Sequence, residues 1–130
     1  MPGSPITTRL ADWLDEELKE IFRAAGEGRS EGLRRVVEEW WTLQNFPHLE
    51  FRDGPWGRRA ALRGGPEVWE VVSAAREYEA DRAGLAEHFA WLEPAALEES
   101  LAYAARFPDA VQALIAENDR IARRLAERRA

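Results

Sequence analysis

Apolar positions recur along this chain in two rhythms, with clusters of Gly and Pro between them. Pro5–Leu10 alternates: Ile6, Thr8 and Leu10 face one way and Thr7 and Arg9 the other, which predicts a short strand. From Asp12 the spacing turns helical. Leu14, Leu18, Ile21, Phe22 and Ala25 share a face, Asp12 offers an N-cap, and Asp15 and Glu16 fall in the first turn, where the helix dipole favours anions. Gly26-Glu27-Gly28 stops this helix. A second helix, starting near Arg29-Ser30, carries Leu33, Val36, Val37, Trp40 and Trp41 on its apolar side. Residues 1–45 therefore read as strand, helix, helix.

At Phe46-Pro47 the rhythm changes again. His48–Arg52 reads as a strand, Asp53-Gly54-Pro55-Trp56-Gly57 as a turn, Arg58–Arg63 as the returning strand, and Gly64-Gly65-Pro66 as a break. Pro66 fits the start of a helix over Glu67–Glu79, with Val68, Val71, Val72 and Ala75 on its inner side. Further helices are expected over Arg82–Trp91, Pro94–Phe107 and from Pro108 to the C-terminus. The fold class is mainly α with short strands, in two parts, 1–45 and 46–130.

The N-terminal part cannot be stable as one copy. A single strand has two unpaired edges, and two short helices cannot cover their own apolar stripes. A second copy resolves both problems: the strands pair antiparallel across a two-fold axis and four helices share one core. A homodimer, or a higher even oligomer, follows, with Ile6, Leu10, Leu33 and Val37 in the shared core.

Composition narrows the function. With 130 residues, 45% hydrophobic and 32% charged, the chain is a folded protein of ordinary kind. No stretch approaches the roughly 18 apolar residues of a membrane span, and no signal-peptide core precedes the first helix, so a cytoplasmic protein that binds no membrane is expected. The absence of cysteine excludes disulfide scaffolds, thiolate zinc sites and cysteine nucleophiles. The net charge of −6 gives no general attraction to nucleic acid, so any such function must rest on a local site. His48 and His88 lack metal-ligand spacing, and no metalloprotease, nucleophile-elbow or phosphate-loop pattern occurs. Glu16-Glu17, Glu38-Glu39 and Glu98-Glu99 are adjacent pairs that diverge on a helix and read as solvated faces. Trp40, Trp69 and Trp91 lie on or near apolar stripes and read as core. Trp56, in its Gly-Pro-Trp-Gly turn, is either folded back on the hairpin or held out to a partner. An enzyme, a metal and a cofactor are not expected.

The segments Ile-Thr-Thr-Arg-Leu (6–10), Asp-Trp-Leu-Asp-Glu-Glu-Leu (12–18) and Gly-Arg-Ser-Glu-Gly-Leu-Arg-Arg-Val-Val-Glu-Glu-Trp (28–40) resemble the ribbon-helix-helix repressors, the group that includes MetJ, Arc and the CopG-like proteins. The resemblance implies that the paired strands enter the major groove of operator DNA. Thr7 and Arg9 would then meet base edges, while Arg29 and Ser30, opening the second helix, would hold a phosphate. Without the resemblance, Thr7 and Arg9 are an ordinary solvated strand face.

The second half carries Phe-Arg-Asp-Gly-Pro-Trp-Gly-Arg-Arg-Ala-Ala-Leu (51–62), Gly-Gly-Pro-Glu-Val-Trp-Glu-Val-Val (64–72) and Leu-Glu-Glu-Ser-Leu-Ala-Tyr (97–103) followed by Phe107-Pro108. It resembles a bacterial family known as domain of unknown function 433, which recurs in VapB-like antitoxins. That implies a helix-turn-helix with Pro94–Arg106 as its second helix; Glu93, Glu98 and Glu99 make this helix acidic and favour a packing and partner-binding role. It also implies a PIN-type toxin as partner, with Trp56, Arg123, Arg124 and Arg128 as contacts. Arginines in a last helical turn also suit the helix dipole with no partner at all. The two readings of function are a DNA-binding repressor acting as an antitoxin, and a dimeric protein-interaction module without DNA binding.

Overall fold

A computed structural model describes residues 3–54, 57–79 and 81–129. Among them are six helices and a two-stranded antiparallel sheet. The chain forms two compact units, 1–38 and 39–130, and the division falls inside a helix rather than after residue 45.

In the first unit, helix α1 (Asp12–Ala24) is followed by the start of α2 (Arg29–Asn45). The N-cap of α1 is Ala11, one residue earlier than expected, and it caps without a side-chain hydrogen bond. Asp12 and Asp15 act instead through the dipole of the first turn. Gly26, at φ +73°, turns the chain out of the helix as Glu27 N donates to Phe22 O at 2.8 Å. Phe22 is the one buried residue of α1, and its ring lies where a side chain on Gly32 would stand. Arg35 Nε donates to Glu27 Oε2 at 2.8 Å and Arg29 pairs with Asp15 at 2.5 Å.

The expected strand over Pro5–Leu10 is not formed: residues 3–11 have no regular secondary structure. Alternation prepares a strand, but only hydrogen bonds from a partner make one, and this single chain supplies none. Of the four expected dimer-core residues, two are open and none is fully buried. Ile6 is 91% and Val37 62% exposed, while Leu10 and Leu33 are half-buried.

The second unit holds the main core. Strands β1 (Leu49–Gly54) and β2 (Gly57–Leu62) pair in the register Leu49 with Leu62 and Phe51 with Ala60. The glycine-proline break then folds tightly, with Gly64 at φ +66° and Leu62 N donating to Pro66 O at 2.9 Å. The Arg52 guanidinium spans this corner, donating to Leu62 O at 2.8 Å and Gly65 O at 3.1 Å. Helix α3 (Val68–Glu77) opens with a reciprocal capping box between Glu67 and Glu70. Asp81 caps α4 (Arg82–His88), Pro94 opens α5 (Pro94–Arg106), and Pro108 opens α6 (Pro108–Arg129).

Leu49, Leu62, Val68, Val71, Leu85, Phe89, Leu97, Tyr103, Val111 and Ile115 form one buried cluster. The last turns of α2 belong to this unit: Thr42 is fully buried, and Trp41 makes edge contacts with Phe46 and Phe107. Trp69 is half-buried beside the cluster. Trp40 and Trp91, read from their spacing as core, are instead 63% and 66% exposed. No helix among the described residues is long and apolar enough to cross a membrane.

Candidate functional site

The residues singled out in the sequence fall into separate places. In the first unit, Thr7 and Arg9 lie exposed in the irregular segment ahead of α1, and Arg29 and Ser30 are exposed at the start of α2. A helix start presents unsatisfied N–H groups, which suits an anion. The Arg29 guanidinium is already committed, however. Its ion pair with Asp15 joins the first turn of α1 to that of α2, and Lys19 approaches the same carboxylate at 3.3 Å. Arg34, one turn into α2, is exposed and makes no ion pair among the described residues.

In the second unit, the end of α6 carries Arg123, Arg124, Arg128 and Arg129, all exposed and without ion pairs among the described residues. Leu114, Ile121 and Leu125 share one helical face, which runs on past the last buried residue, Ile115. Leu114 and Ile121 are half-buried and Leu125 is exposed. The end of α6 is thus an arginine-rich surface with an apolar stripe along it. Trp56 lies outside the described residues.

Beside that stripe a cleft of about 110 Å³ is lined by Arg59, Glu67, Trp69, Leu114, Glu117 and Ile121. Three of its polar groups, those of Arg59, Glu67 and Trp69, serve each other. Arg59 Nε stands 2.7 Å from Glu67 Oε2, as an ion pair without the alignment of a hydrogen bond, and Trp69 Nε1 donates to the same oxygen at 3.1 Å. The arrangement braces β2 against the start of α3.

The cluster that sequence reasoning missed centres on His48. Its ring meets Glu93, the N-cap of α5, and is bonded to Glu99 within that helix, so Glu99 is no solvated face and pairs with His48. The two residues are 51 apart in sequence and only the fold brings them together. The two carboxylates raise the pKa of His48 above its ordinary value, the hydrogen bond to Glu99 contributing most. His88 lies instead against Tyr78 and Phe89. No group of three or more potential ligands converges on a metal position among the described residues. Comparison with known protein families, with characterised proteins and with solved structures finds no match for this chain.

Proposed function

We propose that the protein is a dimeric DNA-binding transcriptional repressor, and that it serves as the antitoxin of a type II toxin–antitoxin pair. One observation carries the reading: a short β-branched segment, Ile6–Leu10, lies uncovered ahead of two helices whose apolar side chains Trp13, Ile21, Val36 and Val37 are also uncovered. A second copy would pair the two segments as a ribbon and enclose those side chains in one core. Thr7 and Arg9 would then project together on the outer face, spaced to meet base edges in a major groove. The opening N–H groups of α2 would hold a flanking phosphate, with Ser30 adding its hydroxyl.

The Asp15 pair gives Arg29 a smaller part. To meet a phosphate it must exchange one anion for another, so its contribution to affinity is less than that of an unengaged arginine. Arg34 is better placed for non-specific attraction. In the second unit, the arginine-lined apolar stripe at the end of α6 suits a PIN-type toxin, whose active site is acidic.

The test is an anisotropy titration of the full chain against its own promoter and against random duplex, at two salt concentrations. Arg9→Ala should weaken specific binding by about 1–3 kcal/mol without loss of folding. Arg29→Ala should cost less and act alike on both duplexes. No preference for the promoter, together with no effect of Arg9→Ala, would refute the repressor reading. The net charge of −6 and the hold of Asp15 on Arg29 favour a second reading, a dimeric interaction module without DNA binding, which that outcome would leave standing.

A further inference from the structure

His48 stands at the joint where α2 has ended and β1 begins, and both nitrogens of its ring face carboxylates of α5 and its cap. Nε2 lies 2.9 Å from Glu93 Oε2, and Nδ1 is bonded to Glu99 Oε2. The other oxygen of Glu99 accepts the His48 backbone N–H at 2.9 Å. An ionised carboxylate can only accept, so each ring nitrogen has to donate, and only the imidazolium carries two N–H groups. A neutral ring keeps one and turns a lone pair towards the other carboxylate.

We propose that His48 is a proton-operated clasp, which fastens the α2–β1 joint to α5 when charged and releases Glu93 when neutral. Glu93 is the carboxylate to be released because its side chain is 74% exposed and has water to return to. Glu99 is 15% exposed and stays anchored by the His48 backbone N–H.

The surroundings of the ring do not offset the two carboxylates. Arg63 lies at the joint: its backbone N–H donates to His48 O at 2.9 Å and its Nε to Pro47 O at 3.1 Å, so its side chain is turned to the chain carbonyl. Glu50, next on the same face of β1, is taken by Arg52 at 3.0 Å. The last turn of α2, Thr42–Asn45, carries no charge. A histidine held above its ordinary pKa contributes stability that is complete below the unfolded value of about 6.5 and is lost as pH rises through the folded value. The clasp therefore opens as pH rises, above the range in which a free histidine loses its proton.

The experiment uses the full chain. NMR titration of the two histidine rings, assigned with His88→Gln, should show His48 losing its proton at a higher pH than free histidine, and Glu93→Gln should lower that midpoint. Hydrogen exchange of the amides of residues 46–50 and 95–99, corrected for intrinsic rates, should show protection falling several-fold between about pH 6 and pH 9. In His48→Gln the same protection should not change with pH. A His48 midpoint at or below that of free histidine would overturn the proposal, as would equal pH dependence of protection in wild type and His48→Gln. Should His48→Gln fail to fold, Glu93→Gln decides alone: it alters a single exposed carboxylate, and an unmoved His48 midpoint would overturn the clasp.

Discussion

Gly32 and Ser100 show how opposite a small substitution can be at two buried positions. A Cβ on Gly32 would stand 2.4 Å from carbons of the Phe22 ring, one of them the ring carbon nearest the backbone, so the ring cannot simply swing away. Alanine gains about 1 kcal/mol of helix propensity over glycine, but overpacking costs about 1–3 kcal/mol. The clash wins because Phe22 is the only buried residue of α1. Gly32→Ala should therefore lower the stability of the first unit, seen as earlier loss of helical signal in urea. Ser100 is fully buried, and its hydroxyl has no hydrogen-bond partner among the described residues. Deleting that oxygen removes an unsatisfied polar group, so Ser100→Ala should leave stability unchanged or raise it by up to about 1 kcal/mol in a denaturant titration.

Between elements, β2 is tied to α2 by a forked ion pair. Arg58 donates to Glu39 three times, Nη2 to Oε1 at 2.6 Å and Nε to Oε1 at 3.0 Å and Oε2 at 3.1 Å, and its guanidinium lies over the Phe51 ring at 5.9 Å. The arginine is about a third exposed, so screening reduces the pair. A double-mutant cycle with Arg58→Ala and Glu39→Ala should return a coupling of about 1 kcal/mol, falling with added salt. The bounds of the elements were legible where proline and glycine wrote them: Pro94 and Pro108 open α5 and α6, and Gly64-Gly65-Pro66 closes the hairpin. Spacing alone was a poorer guide to burial. It put Trp40 and Trp91 on stripes without telling whether anything covers those stripes, and it gave Ile6–Leu10 the pattern of a strand without the partner that makes one. The tie of Glu99 to His48 was not legible at all, because it depends on how α5 packs against β1 and not on any local pattern.

For the molecule as a whole, the proposed dimer makes a direct prediction from the uncovered apolar side chains of the first unit. Sedimentation equilibrium at micromolar concentration should give twice the chain mass, and Val37→Asp, which would place an unpaired charge in the shared core, should return a single chain. A monomeric wild type would contradict this. The second unit has a core of its own, so residues 39–130 expressed alone should keep their helical signal and melt cooperatively. A gradual, featureless melt would mean that this core is incomplete without the first unit.

The exposed indoles also turn the protein into its own optical gauge. Trp13 and Trp40 lie on uncovered sides of α1 and α2, and Trp91 lies in the turn between α4 and α5. Indole emission moves to shorter wavelength as water leaves the ring. Dilution through the association constant should therefore shift the fluorescence to the red through Trp13 and Trp40, whereas a ligand that covers the α4–α5 turn would shift the signal of Trp91 to the blue. Replacing Trp13 and Trp40 with phenylalanine separates the two colours, so the proposed self-association and any partner binding would be read in one cuvette without a label.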